Sequence, residues 1–145
     1  MKSVLFSFIF LLTSFSPQSS TELSWHTDLE TAQAEAISNQ RPILMVFSGS
    51  DWCKPCIRLK QEVFESKEFK EYAKDRWSLL NVDFPRSRKN KLSKEIKDYR
   101  NGLAEKYNPK GYFPLVLILD NEGNIQQELS YKGGGPSSFF SNLDY

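Results

Sequence analysis

Soft metal ligands are scarce in this chain of 145 residues, which has two cysteines, two methionines and one histidine. A Cys-x-x-Cys pair can be half of a zinc site, but a structural zinc asks for four ligands. The single His26 lies far upstream of Cys53 and Cys56. Two thiolates can hold Cu(I), yet with Met1 and Met45 alone there is no methionine cluster to support that role. Excess charge is lacking too. The formal net charge is +1, and Lys2 is the only charged residue in positions 1–20, so the remainder balances at 18 charges of each sign. That gives no global argument for nucleic acid or an anionic membrane as partner. The chain shows no repeat, no low-complexity tract and no nucleotide-binding glycine motif. What is plentiful is aromatic surface, 14% of residues and 11 of them Phe, which suits a globular protein and not a disordered one. The length fits one domain with one packed core.

The N-terminus reads as an export signal over residues 1–20, with cleavage between 16 and 21, followed by a single domain over 22–145. Met1-Lys2 supplies a short positive start, and Val4 to Leu12 is almost wholly apolar. A membrane span needs about 20 apolar residues, so a secretory signal fits better, with an uncleaved anchor as the alternative. Ser14 and Ser16 are small residues at a spacing suited to a cut, and a cut after Thr21 is a second option. No cysteine lies nearby to carry a lipid. Export places the cysteines in an oxidising compartment, where a reductant needs an electron partner.

The chain is organised around Ser48-Gly49-Ser50-Asp51-Trp52-Cys53-Lys54-Pro55-Cys56. The apolar run Ile43 to Phe47 leads in as a strand, and a helical pattern of Ile57, Leu59, Val63 and Phe64 leads out. The pair therefore arrives at the start of a helix, where free N–H groups and the helix dipole favour an anion. Cys53 sits at that point, and its thiol is expected below the ordinary value of roughly 8.5. Cys56 lies one turn further in and less exposed. Cys53 is then the attacking thiol and Cys56 the resolving thiol that breaks a mixed disulfide. Pro55 is tolerated in the first turn. A structural disulfide is the plainer reading, but so short a loop restrains the unfolded chain little. The strand-then-helix setting favours redox chemistry.

Elsewhere, Thr27 and Glu30 form a capping box, after which Leu29, Ala32, Ala36 and Ile37 share a helical face. Trp25 covers a core edge, and His26 reads as a surface or cap residue. Ser66 caps a short helix with Phe69, Tyr72 and Ala73 inward, and Trp77 to Asp83 reads as a central strand ended by Phe84-Pro85. Residues 86–100 hold seven basic side chains against Glu95 and Asp98. They read first as a solvated loop and outer helix face over an inner stripe of Leu92, Ile96, Tyr99 and Leu103, with a docking patch for an acidic partner as the sharper alternative. Asn108 to Gly111 stops that helix. Pro114 opens the strand Leu115 to Leu119, Asp120 to Asn124 turns a hairpin, and Ile125 to Tyr131 is the outer strand. Gly133 to Gly135 then leads into a terminal helix from Pro136 to Leu143.

Trp52-Cys53-Lys54-Pro55-Cys56 resembles the thioredoxin active site, with Lys where thioredoxins usually carry Gly. The wider pattern, Phe47 to Trp52, Glu62-Val63-Phe64 and Val82 to Pro85, is similar to exported bacterial thioredoxin-like proteins and to the thioredoxin-like domains of protein-disulfide reductases. The likeness covers roughly residues 25 to 143. It implies an α/β thioredoxin-like fold, a central mixed sheet of four or five strands with helices on both faces. It also implies that Pro114 is cis and faces the cysteines. The backbone of Phe113 would then pair with an extended substrate strand, and Phe113, bulkier than the usual Thr or Val, narrows access. The expected site is Cys53 and Cys56 as catalysts, with Trp52, Lys54, Pro55, Phe113 and Pro114 binding substrate and no metal. Two departures stand out. The family's buried Asp falls at Phe47 and its Lys partner at Leu79, so Cys56 loses its usual proton acceptor, and water, a substrate group or Asp51 is left to substitute. Lys54 adds a positive charge near Cys53. The expected function is an exported, periplasmic or cell-envelope thiol–disulfide oxidoreductase that reduces disulfides. It would need no cofactor and act as a monomer, with protein disulfides or thiols as substrates, a membrane electron donor and no nucleic acid. An oxidase or isomerase, or a non-catalytic binding module or metallochaperone, is the alternative.

Overall fold

Two runs of consecutive buried residues, Ile43–Phe47 and Leu115–Leu119, cannot each have a wet face, so both must lie inside a sheet covered on two sides. A computed structural model, which describes residues 22–144, places them there. The expected signal segment lies outside the described residues. In chain order the elements are β1 (Trp25–His26), α1 (Leu29–Asn39), β2 (Ile43–Ser48), α2 (Lys54–Leu59) running on into a π-helical turn (Lys60–Phe64), and α3 (Lys67–Ala73). Then come β3 (Ser78–Asp83), a 3-10 turn (Arg88–Asn90), α4 (Lys94–Tyr107), β4 (Leu115–Leu119), β5 (Ile125–Leu129) and α5 (Gly135–Phe140). The five strands stand in the order β1-β3-β2-β4-β5. β3 is parallel to β1 and β2, whereas β4 is antiparallel to β2 and β5. This is the expected mixed sheet. Among the described residues no helix is long and apolar enough to cross a membrane.

The period of two along β2 and β3 sorts side chains into two cores. Ile43, Met45, Phe47, Leu80 and Val82 face α1 and α4, where they meet Ala32, Ala36, Leu103 and Tyr107. Leu44, Val46 and Leu79 face the helices that follow the cysteines, meeting Leu59, Val63, Phe69 and Phe139.

Several details differ from the sequence reading, and the outer strand and terminal helix are shorter than expected, ending at Leu129 and Phe140. Asp28, not Thr27, caps α1: it is the extended residue before the first turn, and its carboxylate accepts from Thr31 N at 2.8 Å. Glu30 does not reach back to complete a box, because it accepts from the Tyr99 hydroxyl at 2.6 Å. Ile37 and Ile96 are 59% and 44% exposed. α1 meets the sheet only along the Leu29, Ala32, Ala36 line, and α4 only from Tyr99 onward. Trp77 precedes β3, since its N–H still closes α3 on Ala73 O. His26 is half-buried and bonded to Glu35, which also pairs with Arg41. Ser66 caps α3 as expected, accepting from Phe69 N at 3.1 Å.

Candidate active site

The loop between β2 and α2 carries the cysteines, and local bonding sets its shape. The Gly49 carbonyl accepts from Cys53 N at 2.9 Å and Trp52 N at 3.3 Å, closing a turn that puts Cys53 at the mouth of α2. Cys53 is itself the N-cap: its backbone is extended and its Sγ accepts from Cys56 N at 3.3 Å. The two cysteines form a disulfide, with Cα atoms 5.2 Å apart. Both are buried, at 4% and 5% exposure, so the expected contrast between an open Cys53 and a sheltered Cys56 is absent in this oxidised state. Lys54 and Pro55, on the first turn, remain exposed. Among the described residues, no group of three or more His, Cys, Asp or Glu side chains is placed to hold a metal ion.

Trp52 forms one wall. Its indole Nε1 donates to Phe84 O at 2.7 Å. Its ring meets Phe113 edge-on at 5.5 Å, and Phe113 meets Phe84 in the same manner at 5.7 Å. The Arg86 guanidinium lies 3.6 Å above the indole, a cation–π contact. The Phe113–Pro114 bond is cis, as the resemblance implies. Pro114 and Cys56 line one cavity of about 520 Å³ together with Ser48, Asn81, Val46 and Phe64. The structure therefore gathers Trp52, Cys53, Cys56, Phe113 and Pro114 around one place.

The proton-acceptor reading needs correcting. Phe47 is fully buried in the core against α1 and α4, and Leu79 lies in the opposite core, so the two do not face each other. Of β2, it is Val46 and Ser48 that lie on the cavity side with Cys56. Phe47 therefore stands on the sheet face turned away from the cavity that Cys56 lines, because one step along a strand changes the face. Asp51 is engaged elsewhere. Its carboxylate accepts from Arg86 N (2.8 Å), Ser87 N (2.9 Å) and Asn90 Nδ2 (3.0 Å). Those bonds, Arg86 N first, hold its carboxyl below the usual value.

Sequence reasoning missed a polar cluster beside the cysteines. Ser48 Oγ lies 2.9 Å from Asn81 Oδ1 and 3.1 Å from Asp83 Oδ1. Asp83 also accepts from Ser50 N at 2.8 Å and Ser50 Oγ at 2.6 Å. This pins the loop to the end of β3. The signal was the period of two, since Ser48, Asn81 and Asp83 interrupt the apolar face that Leu44, Val46 and Leu79 begin. Buried Arg100, missed as well, donates from Nη1 to Asp83 O and braces the same strand end, while its Nε has no partner.

A mixed five-stranded sheet with a Cys-x-Pro-Cys pair at a helix start and a cis-proline across from it defines a thioredoxin-like protein, and the family model described as thioredoxin-like matches residues 24–121. The chain belongs to that family and is a thiol–disulfide oxidoreductase. Among its relatives is the disulfide bond reductase DsbH of Chlamydia pneumoniae, 29% identical over 127 residues, which are 88% of this chain and 74% of that protein. The thioredoxin-related protein DsbJ of the same organism is 28% identical over 124 residues, 86% of this chain but 34% of DsbJ. A solved DsbH oxidoreductase superposes with a TM-score of 0.75 at 28% identity, over 90% of this chain and 88% of its own. The oxidised C-terminal domain of DsbD from Neisseria meningitidis shares the fold, with a TM-score of 0.55 at 18% identity over 81% of this chain and 95% of that domain.

Proposed function

We propose that the protein is an exported reductase of the cell envelope, in which Cys53 attacks and Cys56 resolves. The Cys53 thiolate attacks one sulfur of a substrate disulfide, forming a mixed disulfide and releasing the other substrate sulfur as a thiolate. The Cys56 thiolate then attacks Cys53 Sγ, forming the Cys53–Cys56 bond and releasing the second substrate thiolate. Substrate gains two electrons, and the pair must regain two electrons and two protons from a donor, for which a membrane carrier is the fitting class. Trp52, Lys54, Pro55, Phe113 and Pro114 form the groove, and the Phe113 backbone offers a strand-pairing edge.

The observation that carries this reading is the Cys53 sulfur serving as N-cap, 3.3 Å from Cys56 N. An acceptor there is more favourable as a thiolate. The similarity to a protein named a disulfide bond reductase supports the reductive direction, and the short positive start before an apolar stretch supports export.

The equilibrium potential of the pair against a glutathione or dithiothreitol buffer tests the direction. A value near roughly −250 mV is expected, and a value near roughly −130 mV would point to disulfide formation instead. For the roles, a Cys56→Ser variant is expected to trap mixed disulfides with substrate proteins and a Cys53→Ser variant to trap none. The reverse pattern would exchange the two assignments.

A further inference from the structure

We infer that the turn following β3 is a docking surface for acidic polypeptide substrates, set beside the attacking thiol. This rests on the reductase reading and adds the substrate class. Residues 86–100 carry seven cations against two anions, a surplus of five, while residues 22–145 as a whole are neutral. The rest of the domain therefore carries an equal deficit, so positive charge is concentrated in this stretch although the net charge is zero.

The structure fixes where the positive pole lies. Asp51, two residues before Cys53, binds Arg86 N, Ser87 N and Asn90 Nδ2. Trp52, next to Cys53, holds Phe84 O and carries the Arg86 guanidinium on its face. The turn is thus latched from both ends of one stretch to the residues that flank the thiol. It forms a 3-10 turn at Arg88–Asn90, capped by Ser87. Consecutive Cα atoms lie about 3.8 Å apart, so Lys89 stays within roughly 11 Å of Arg86 along the chain.

Four of the seven cations are exposed and uncommitted. Lys94 pairs with Asp98, and Arg100 is buried against Asp83 O. Arg88, Lys89, Lys91 and Lys97 have no ion-pair partner among the described residues and stand in solvent, as does Lys54 on the helix start. A merely solvated helix face would not be tied to the catalytic loop. Two carboxylates beside the turn are already engaged, Asp51 by its three donors and Asp83 by Ser50 N and Ser50 Oγ. Such a field raises encounter rates with anionic partners by about 10- to 1000-fold at low ionic strength and mainly sets on-rates and partner choice.

The test uses reduced protein and two disulfide peptides that differ only in flanking Glu or Lys residues, with uncharged hydroxyethyl disulfide as reference. The Glu peptide is expected to be reduced at least about tenfold faster than the Lys peptide at low ionic strength, with the preference fading at high salt. An Arg88→Glu, Lys89→Glu, Lys91→Glu variant is expected to lose that preference while reducing hydroxyethyl disulfide at the wild-type rate. Equal peptide rates, or a preference that survives in the variant, would overturn the proposal. So would tight binding to phosphatidylglycerol vesicles without any peptide preference. If hydroxyethyl disulfide itself is not reduced, it is the reductase reading that fails. Docking is then read from fluorescent-peptide binding to the Cys53→Ser, Cys56→Ser protein, where equal affinity for the two peptides would overturn it.

Discussion

Gly49 does not have a left-handed φ, so that freedom is not why glycine stands there. The reason is space: a Cβ would fall inside the Trp52 indole, 2.6 Å from Nε1. The ring cannot swing away cheaply, since it is held by Phe84 O, Phe113 and Arg86 together. Gly49→Ala is therefore expected to cost about 1–3 kcal/mol, the usual price of overpacking. It should also shift the tryptophan emission and slow reduction of a small disulfide. Denaturant unfolding and stopped-flow reduction check this, and wild-type values in both would mean the indole has room that the structure denies it. Asp83 works at the same scale from the other side. It is one carboxylate satisfying Ser48 Oγ, Ser50 N and Ser50 Oγ, so the loop that carries the cysteines is fastened to β3 before it reaches Trp52.

Elements meet through single polar groups, and Tyr99 is the clearest case, joining α4 to the first turn of α1. Its hydroxyl accepts from Leu29 N at 2.8 Å and donates to Glu30. Burial first, and then the bond to the Glu30 carboxylate, push its phenol up from 10 to about 12. A raised value in the folded state means that the folded form holds the proton more tightly than the unfolded form does. The stabilisation is therefore complete below pH 10 and lost as pH rises towards 12. Tyr99→Phe is expected to lower stability by about 1 kcal/mol at neutral pH and to flatten the alkaline fall in melting temperature. A residual slope should remain, because Tyr131 is also raised, by burial and by Glu62. An unchanged slope across that pH window would remove Tyr99 as its source. These contacts also mark how far the sequence could be read. Strands such as Ile43–Ser48 and Leu115–Leu119 announce themselves by apolar composition, and Ser66 announces its helix by local capping chemistry. The cysteines and Pro114 were legible because the motif is local or family-wide. The Tyr99–Glu30 and Asp51–Arg86 links join residues 69 and 35 apart, and nothing local encodes which partner a surface carboxylate will find. The face that Phe47 takes was hidden for the same reason: one residue of strand register decides it, and an apolar residue flanked by apolar residues carries no parity mark.

Across the whole molecule the sheet is shared by two cores that differ in kind. The face towards α1 and α4 is largely aliphatic. The face towards α2, α3 and α5 mixes aliphatic residues with an aromatic cluster, with Phe69 at its hub, fully buried with ring contacts to Trp25, Phe64, Trp77, Phe139 and Phe140. Those partners come from β1, the π-helical turn, the end of α3 and α5, so one side chain ties both termini of the domain to the helix that follows the cysteines. Phe69→Ala removes that hub, and a Phe→Ala change in a core costs about 3–5 kcal/mol. Against a total of about 5–15 kcal/mol, this is a large share of stability. The aliphatic core loses no contact, yet it is not expected to survive alone. Leu44 and Val46 of β2 alternate with Met45 and Phe47, so the same strands carry both cores and neither face can open without the other. Unfolding of the variant, followed separately by far-ultraviolet dichroism and by tryptophan emission, is expected to give one shared transition at lower denaturant. Two of the three tryptophans, Trp25 and Trp77, lie on the aromatic face, and with Trp52 replaced by Phe in the background the emission reports that face, while the backbone signal reports the sheet and every helix. Two separated midpoints would show that the aromatic core opens on its own. The cysteine-bearing helix would then sit on a subdomain that unfolds independently of the sheet. A single midpoint means that the groove between Cys56 and Pro114 is held by the stability of the whole fold.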